Sequence, residues 1–393
     1  MAGSYIVAGA RTPIGKMSGA LASFSAADLG SIAIKAALER AGVSPNEVDH
    51  VIMGQVLMAG QGQVPSRQAA VKAGIPMSVP AINVNKVCLS GLNSIYLADQ
   101  MIQAGDADIV IAGGMESMTN APYIASGARG GFRYGNTELK DAIIADGLWC
   151  SFDSCLMGLG TERYTAGNIS RQQQDDLAMK SNQRAAAAIA AGRLADEIVS
   201  ILIPQRKGDP LVIANDEGVR AETTMESLGG LKPAFDKDGT ITAANASQLS
   251  DGGSAVVMMS ERFVKDRGIK ALGQVVSYGM VAGPDNASLL TQPSRAILKA
   301  LNKVGMKVSD INLFELNEAF ATVGIASMAD LGISDDIVNV NGGAIALGHP
   351  IGMSGNRVAL TVLHELRRRG GGVGAAALCG GGGQGDAIIV RTV

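Results

Sequence analysis

Ala81-Ile-Asn-Val-Asn85 is an alternating, apolar-rich run followed by a loop and by a segment of helical period, Ser90–Ala104. The same pattern returns near the other end of the chain as Ile337-Val-Asn-Val-Asn341, again followed by a loop and by a helical stretch over about Ser354–Arg369. A second echo keeps the order: Ile109-Val-Ile-Ala-Gly-Gly114 against Ala375-Ala-Ala-Leu-Cys-Gly380. Two matches in one order predict a duplicated strand–loop–helix unit. Outward from these, short Val, Ile and Ala runs at Tyr5–Ala8 and Val51–Gly54 alternate with a helical period at Ala26–Ala41. Alternation of this kind predicts an α/β fold with a buried sheet.

The alternation breaks after Pro122 and resumes near Ser254–Ser260, so an inserted subdomain is expected between the copies. Its clearest element is a polar helix from Ser170 to about Ala191: Ser170 with Gln173 three residues on reads as a capping box, and Gly192 as the stop. Strands are expected again at Asp310–Leu316, Ile337–Val340, Val373–Leu378 and Asp386–Val393.

With 393 residues, a net charge of −3 and 47% hydrophobic residues, the chain can build a sizeable core and is not disordered. A 4% aromatic share and no basic stripe argue against nucleic-acid binding. No apolar run approaches the roughly 18 residues of a membrane span, and a cytoplasmic protein is expected. Four Cys in a chain this long make no disulfide framework, and Cys88, Cys150, Cys155 and Cys379 contain no Cys-x-x-Cys pair; with three His, no metal site is expected.

Four residues stand where strands should end. Cys88, in Asn85-Lys-Val-Cys-Leu-Ser-Gly91, precedes a helix whose positive end favours a thiolate; a buried inert cysteine is the competing reading. Cys379 precedes Gly380-Gly-Gly-Gly-Gln-Gly385, which formally matches a dinucleotide fingerprint but is followed by a strand, not a helix. Such a turn offers backbone N–H donors for an oxyanion, or is a plain hairpin. His349 sits in a loop constrained by Gly348 and Pro350, as a functional or a structural histidine. Asn317 heads Asn317-Glu-Ala-Phe-Ala321, as a site amide or a helix cap. His364 reads as a surface residue, and His50 receives no role.

At these residues the chain resembles the thiolase family of acetyl-CoA acetyltransferases and 3-ketoacyl-CoA thiolases. The matching segments are Ala10-Arg-Thr-Pro-Ile-Gly15, the Cys88 segment, Gly113-Gly-Met-Glu-Ser-Met118, Lys232-Pro-Ala-Phe-Asp236, Asn245-Ala-Ser247, Asn317-Glu-Ala-Phe320, Gly348-His-Pro350 and Cys379-Gly-Gly381. The resemblance implies a five-layered αβαβα thiolase fold of two similar halves. Residues 1–121 plus 250–272 would form the N-terminal half, 122–249 a loop domain covering the CoA site, and 273–393 the C-terminal half, in a homodimer or homotetramer.

The resemblance also assigns roles. It makes Cys88 the acyl-carrying nucleophile, His349 the base that takes its proton, and Cys379 a second acid/base at the substrate's methyl carbon. Asn317, through a water, and His349 would stabilise the enolate oxygen, while the backbone N–H groups of Cys88 and Gly381 would hold the acyl-enzyme oxygen. Leu148, Met157, Arg220, Phe235, Ser247 and Phe320 match CoA contacts. CoA, acetyl-CoA and 3-ketoacyl-CoA are then substrates, the reaction is reversible Claisen condensation and thiolysis, and no cofactor is required.

One departure bears on substrate choice. Leu156-Met-Gly158 stands where family members that act on acetoacetyl-CoA commonly have His-Met-Gly, so longer or branched acyl chains form an alternative reading. Gly160-Thr-Glu-Arg163 is likewise looser than the usual Thr-Ala-Glu-Asn. A condensing enzyme acting on carrier-bound acyl groups would commonly pair one Cys with two His, or with His and Asn, and Cys379 in place of a second His argues for the thiolase reading. A non-catalytic CoA-binding protein or a thiol redox protein pairing Cys88 with Cys379 would be a different class.

Overall fold

The computed structural model describes residues 3–393. Nine strands of the main sheet run β1 (Ser4–Arg11), β2 (His50–Gly54), β3 (Ala81–Val84), β4 (Ile109–Ser117), β5 (Ser250–Ser260), β6 (Gly273–Ala282), β7 (Leu313–Leu316), β8 (Val373–Gly380) and β9 (Gln384–Arg391). Among the described residues eight helices of eight residues or more accompany them: α1 (Ala26–Ala41), α2 (Pro65–Lys72), α3 (Ser90–Ala104), α4 (Met157–Thr165), α5 (Arg171–Ala190), α6 (Gln292–Lys303), α7 (Ala321–Leu331) and α8 (Ser354–Arg368). The strand order is β7-β8-β9-β6-β1-β5-β4-β2-β3, and the two-residue strand Gly15–Lys16 adds to β5.

Outward from the contact of β1 with β6 the two halves of this order repeat each other, one half having β3 as an extra outer strand. The antiparallel contact of β1 with β6 lies at its centre, and each half then continues through two antiparallel pairings to a parallel pair, β4 with β2 and β8 with β7. Each copy's first strand carries one irregularity, between Ile6 and Ala8 in β1 and between Val275 and Ser277 in β6. Following the pairings outward from those bulges, Ile6 leads through Met258 to Val110, and Val275 through Val390 to Gly374. Val110 and Gly374 are therefore equivalent, which moves the second sequence echo by two residues. A shift of two keeps every side chain on its face, so the strand pattern alone could not detect it.

Burial sorts the molecule into five layers. Helices α1 and α2 cover one side of β1, β2, β4 and β5 through Ala33, Ile34, Val51 and Ile111. Helices α3 and α8 fill the middle, with Leu92, Ile95, Val358 and Leu363 packed between Val256 and Ile388 of the two halves. Helix α6 closes the far side through Ala296, Ile297 and Leu301. The all-buried strands explain the near-continuous apolar runs, and each fully buried Leu or Ile contributes roughly 1.5–3 kcal/mol.

Ile337–Val340 departs from expectation. The segment makes a 3-10 turn at Asp335–Ile337 and a single parallel bridge from Val338 to Phe314, where β3 in the other copy pairs over four residues. Asn339 explains the loss: its side chain spans the gap, donating to the Leu316 carbonyl at 2.8 Å and accepting from the Leu316 N–H at 2.9 Å. A side-chain amide has replaced the ladder.

The segment between β4 and β5 holds α4, α5 and three small hairpins. Ser170 caps α5 with Gln173 as read from sequence. Arg11, fully buried at the end of β1, ties this segment down: Nε meets Glu197 at 2.7 Å, and Nη1 and Nη2 meet Asp216 at 2.6 and 2.9 Å. The Ala10-Arg-Thr-Pro motif is thus an anchor for the insertion, its two-pronged fork satisfied by carboxylates.

Candidate active site

Cys88 is delivered by a strained turn. After β3, Asn85 Oδ1 accepts the Val87 N–H at 3.1 Å, the Lys86 N–H donates to Ser90 Oγ at 2.8 Å, and Ser90 Oγ donates to the Val87 carbonyl at 2.6 Å. These bonds hold Val87 at φ 50°, a left-handed conformation that a β-branched residue avoids. Cys88 follows, 2% exposed, just ahead of α3. Burial pushes its thiol up to about 12, its own N–H opposes the rise, and the buried Glu116 adds to it. Desolvation thus works against the helix end, which favours a thiolate.

Cys379 lies at the end of β8, fully buried, and its thiol is raised by burial and then by the nearby Cys88. The contact between the two segments is intimate. A Cβ added to Gly380 would stand 2.5 Å from Leu89 Cγ, and one added to Gly381 3.1 Å from Val87 Cγ2. The residues on either side of Cys88 therefore press on the two residues after Cys379. Lys86 Nζ pairs with Asp386 at 2.7 Å, and Asp386 is the cross-strand neighbour of Leu378. The N–H groups of Cys88 and Gly381 are taken by no carbonyl of the described residues.

His349 is 5% exposed, and its N–H is held by the Gln248 carbonyl at 3.1 Å and Ser250 Oγ at 3.2 Å. Its Nδ1 is 2.6 Å from Ser354 Oγ, which donates to the Pro350 carbonyl at 2.9 Å. With the hydroxyl donating to this carbonyl, the assignment that uses both contacts puts the ring proton on Nδ1. Nε2 then carries the lone pair, with Asn317 Nδ2 3.4 Å away. Burial, with the charge of Arg357, pushes His349 down to about 3. A neutral imidazole with its lone pair on Nε2 can take a proton there.

Asn317 reaches this nitrogen: its Nδ2 is 3.4 Å from His349 Nε2, while its Oδ1 is buried with no partner among the described residues. Its N–H is held by the Ala377 carbonyl at 2.9 Å, two residues before Cys379. An unpaired buried acceptor costs about 1–3 kcal/mol, which a site tolerates where substrate or water completes it.

Three supporting groups escaped the sequence reading. Glu116 accepts N–H bonds from Val56 at 2.9 Å, Leu57 at 3.1 Å and Gly352 at 3.0 Å, bracing the loop after His349. Glu315 pairs with Arg357 Nη1 at 3.0 Å, joining the strand of Asn317 to the helix after His349. Ser354 orients the imidazole. Its signal was present as Ser354-Gly355, the counterpart of Ser90-Gly91 264 residues earlier, the same offset as Val110 to Gly374. His364, expected at the surface, is half-buried on α8, with its Nε2 unpartnered among the described residues.

The expected CoA residues divide into three places. Leu148 packs against the apolar cluster of Cys88, and Met157, Phe235 and Phe320 against that of Cys379. Phe235 and Phe320 meet edge to face with centroids 6.0 Å apart. Ser247 donates its N–H to the Ala319 carbonyl at 3.0 Å. Exposed Arg220 lines a groove of about 230 Å³ with Asn182, Ser227, Leu231 and Ala243.

The pattern of the thiolase N-terminal domain matches residues 4–262 and that of the thiolase C-terminal domain residues 269–392. A protein of Mycolicibacterium smegmatis named "Probable acetyl-CoA acetyltransferase" is 54% identical over 98% of this chain and all of its own length. The acetyl-CoA acetyltransferases of Cupriavidus necator and Pseudomonas aeruginosa are 50% and 49% identical, each over 98% of both chains. Two matched halves around one pair of converging thiols, and likeness along the full chain, come to one conclusion: the chain belongs to the thiolase family.

Proposed function

We propose that the chain is an acetyl-CoA C-acetyltransferase, which condenses two acetyl-CoA to acetoacetyl-CoA and CoA and runs the same steps backwards in thiolysis of 3-ketoacyl-CoA. The observation that carries the reading is the contact of Val87 and Leu89 with Gly381 and Gly380, which brings two thiols from opposite halves to one place. His349 Nε2 takes the Cys88 proton as the sulfur attacks the thioester carbonyl, and CoA departs as a thiol with the proton of Cys379, which is left as a thiolate. The oxygen of that intermediate lies against the N–H groups of Cys88 and Gly381. Cys379, as thiolate, then removes a methyl proton from the second acetyl-CoA, and the enolate carbon attacks the acetyl group on Cys88. His349 Nε2, carrying a proton at that stage, and a water on Asn317 Oδ1 steady the enolate oxygen. Developing negative charge meets fixed donors in a dry site, where such donors count most.

Leu156 favours a wider acyl range. It is half-buried at the start of α4, beside Met157 of the cluster that holds Cys379, and contributes no polar atom there. The reading extends to a cytoplasmic homodimer or homotetramer, supported by the family resemblance alone and sorted by sedimentation of the purified enzyme. Steady-state thiolysis of acetoacetyl-CoA and a longer 3-ketoacyl-CoA, side by side, tests the substrate assignment. Turnover of both is expected; turnover of neither, with no condensation of acetyl-CoA, would overturn it.

A further inference from the structure

Cys150 and Cys155 take no part in the chemistry above. They stand directly opposite each other in the antiparallel pair of Trp149–Cys150 with Cys155–Leu156. Residues so paired have Cα atoms roughly 4.5–5.5 Å apart and side chains on one face. A disulfide needs roughly 4.4–6.8 Å. Both cysteines are free and 5% exposed. Among the described residues no three His, Cys, Asp or Glu side chains gather as a metal-binding group, so a metal does not account for the pair.

The two sulfurs share their surroundings. The Asp153 N–H donates to Cys150 Sγ at 3.4 Å, and a Cβ added to Gly160 would lie 3.2 Å from Asp153 Oδ2 and 3.7 Å from Cys155 Sγ. Arg163 Nη1 is 3.7 Å from Cys155 Sγ, placing a cation beside that sulfur. The hairpin tip above them is open to solvent: Ser151, Phe152 and Ser154 are exposed, Phe152 to 80%. A small reagent meets the pair after a local opening of four residues, a cheaper event than unfolding.

We propose that Cys150 and Cys155 are a reversible disulfide site, closed by exchange with a small-molecule disulfide. The Cys155 sulfur attacks one sulfur of that disulfide; the other half leaves and takes the Cys155 proton as a free thiol. The Cys150 sulfur then attacks Cys155 in the mixed disulfide, and the second half leaves with the Cys150 proton. One small disulfide and two protein thiols become one protein disulfide and two small thiols. The bond has a mechanical consequence near the site. Phe152 lies against Gly382, where an added Cβ would stand 2.9 Å from its ring, and Cys150 lines a cleft with Met157, Ala287, Leu289 and Gly382. Oxidation fixes the width of the hairpin that forms this wall.

Peptide mapping tests the proposal without reference to activity. No Lys or Arg lies between Lys140 and Arg163, so trypsin leaves both cysteines in the single peptide 141–163. After the folded enzyme is treated with oxidised glutathione and alkylated, this peptide should be two hydrogens lighter and free of alkyl groups. A further chymotryptic cut after Phe152 should leave its halves joined until reduction. The bond should form unchanged when Cys88 and Cys379 are both replaced by Ser, and Cys155→Ser should leave Cys150 as an alkylated or glutathionylated thiol. Both cysteines fully alkylated in the treated wild type, each glutathionylated separately, or either bonded to Cys88 or Cys379, would overturn it.

Discussion

Gly91 and Gly355 face each other where α3 and α8 begin. A Cβ on Gly91 would stand 2.8 Å from the Asn356 nitrogen, and one on Gly355 would overlap the Leu92 nitrogen. Each helix start is pressed against the other's backbone, which draws the loops of Cys88 and His349 together. Gly355→Ala should cost on the order of 3 kcal/mol, because backbone cannot yield as a side chain can. Gly229→Ala, with nothing within 4 Å, should change stability by less than about 0.5 kcal/mol. Urea midpoints of the two variants check the contrast; equal midpoints would contradict the packing argument.

Ser354 holds Nδ1 of the imidazole and leaves Nε2 to the side of Asn317. Ser354→Ala removes the acceptor of Nδ1–H and lets the ring turn or change tautomer. Its kcat should fall by about 10² while KM for acetyl-CoA changes little, since general-base assistance contributes roughly 10²–10⁴. Steady-state kinetics of thiolysis measure both. A change confined to KM would assign Ser354 to binding instead.

Arg357 acts on His349 through charge. The free base must be unprotonated to work, and with His349 held near 3 its loss on acidification lies well below pH 6.5. Arg357→Met removes a depressing charge, so the acid limb of kcat/KM should move toward neutral by roughly one unit, whereas Arg357→Lys should hold it closer to wild type. A pH profile of kcat/KM reads this directly. A limb that does not move would show that burial alone sets the imidazole.

Glu116 makes stability depend on pH. Burial, with the charge of Asp251, pushes its carboxyl up to about 7 against an ordinary 4.5, although three N–H donors oppose the rise. Between those values the folded state holds a proton that the unfolded chain has released. Its contribution therefore weakens as pH rises from about 4.5 to 7, by a few kcal/mol at most. Relative to wild type, Glu116→Gln should lack this decline. Tm measured across that window for both proteins tests it; parallel curves would contradict the shift.

The α/β character, the duplication and the insertion were legible in the sequence because they rest on periodicity and order. The four candidate residues could be picked out because each lies next to a strand end, a glycine, a proline or a helix start. What was not legible depends on register and burial. The equivalence of Val110 with Gly374 preserves strand parity, so a two-residue error leaves no trace in the hydrophobic pattern. Val338 kept a strand-like sequence while Asn339 took over its ladder bonds. Cys88 looked ready to ionise beside a helix end, but the local dipole is visible in sequence and the surrounding desolvation is not. Glu116, quoted within a motif, showed its use only once Val56, Leu57 and Gly352 came within reach.

The division of labour between the two sulfurs is the central claim, and Cys379→Ser separates its halves. The variant should accept one acetyl group from acetyl-CoA, mapped by mass spectrometry to Cys88, at the wild-type stoichiometry. It should fail to exchange the methyl protons of a bound acetyl-CoA with deuterated solvent. An acetyl group found on another residue, or exchange at the wild-type rate, would contradict the account.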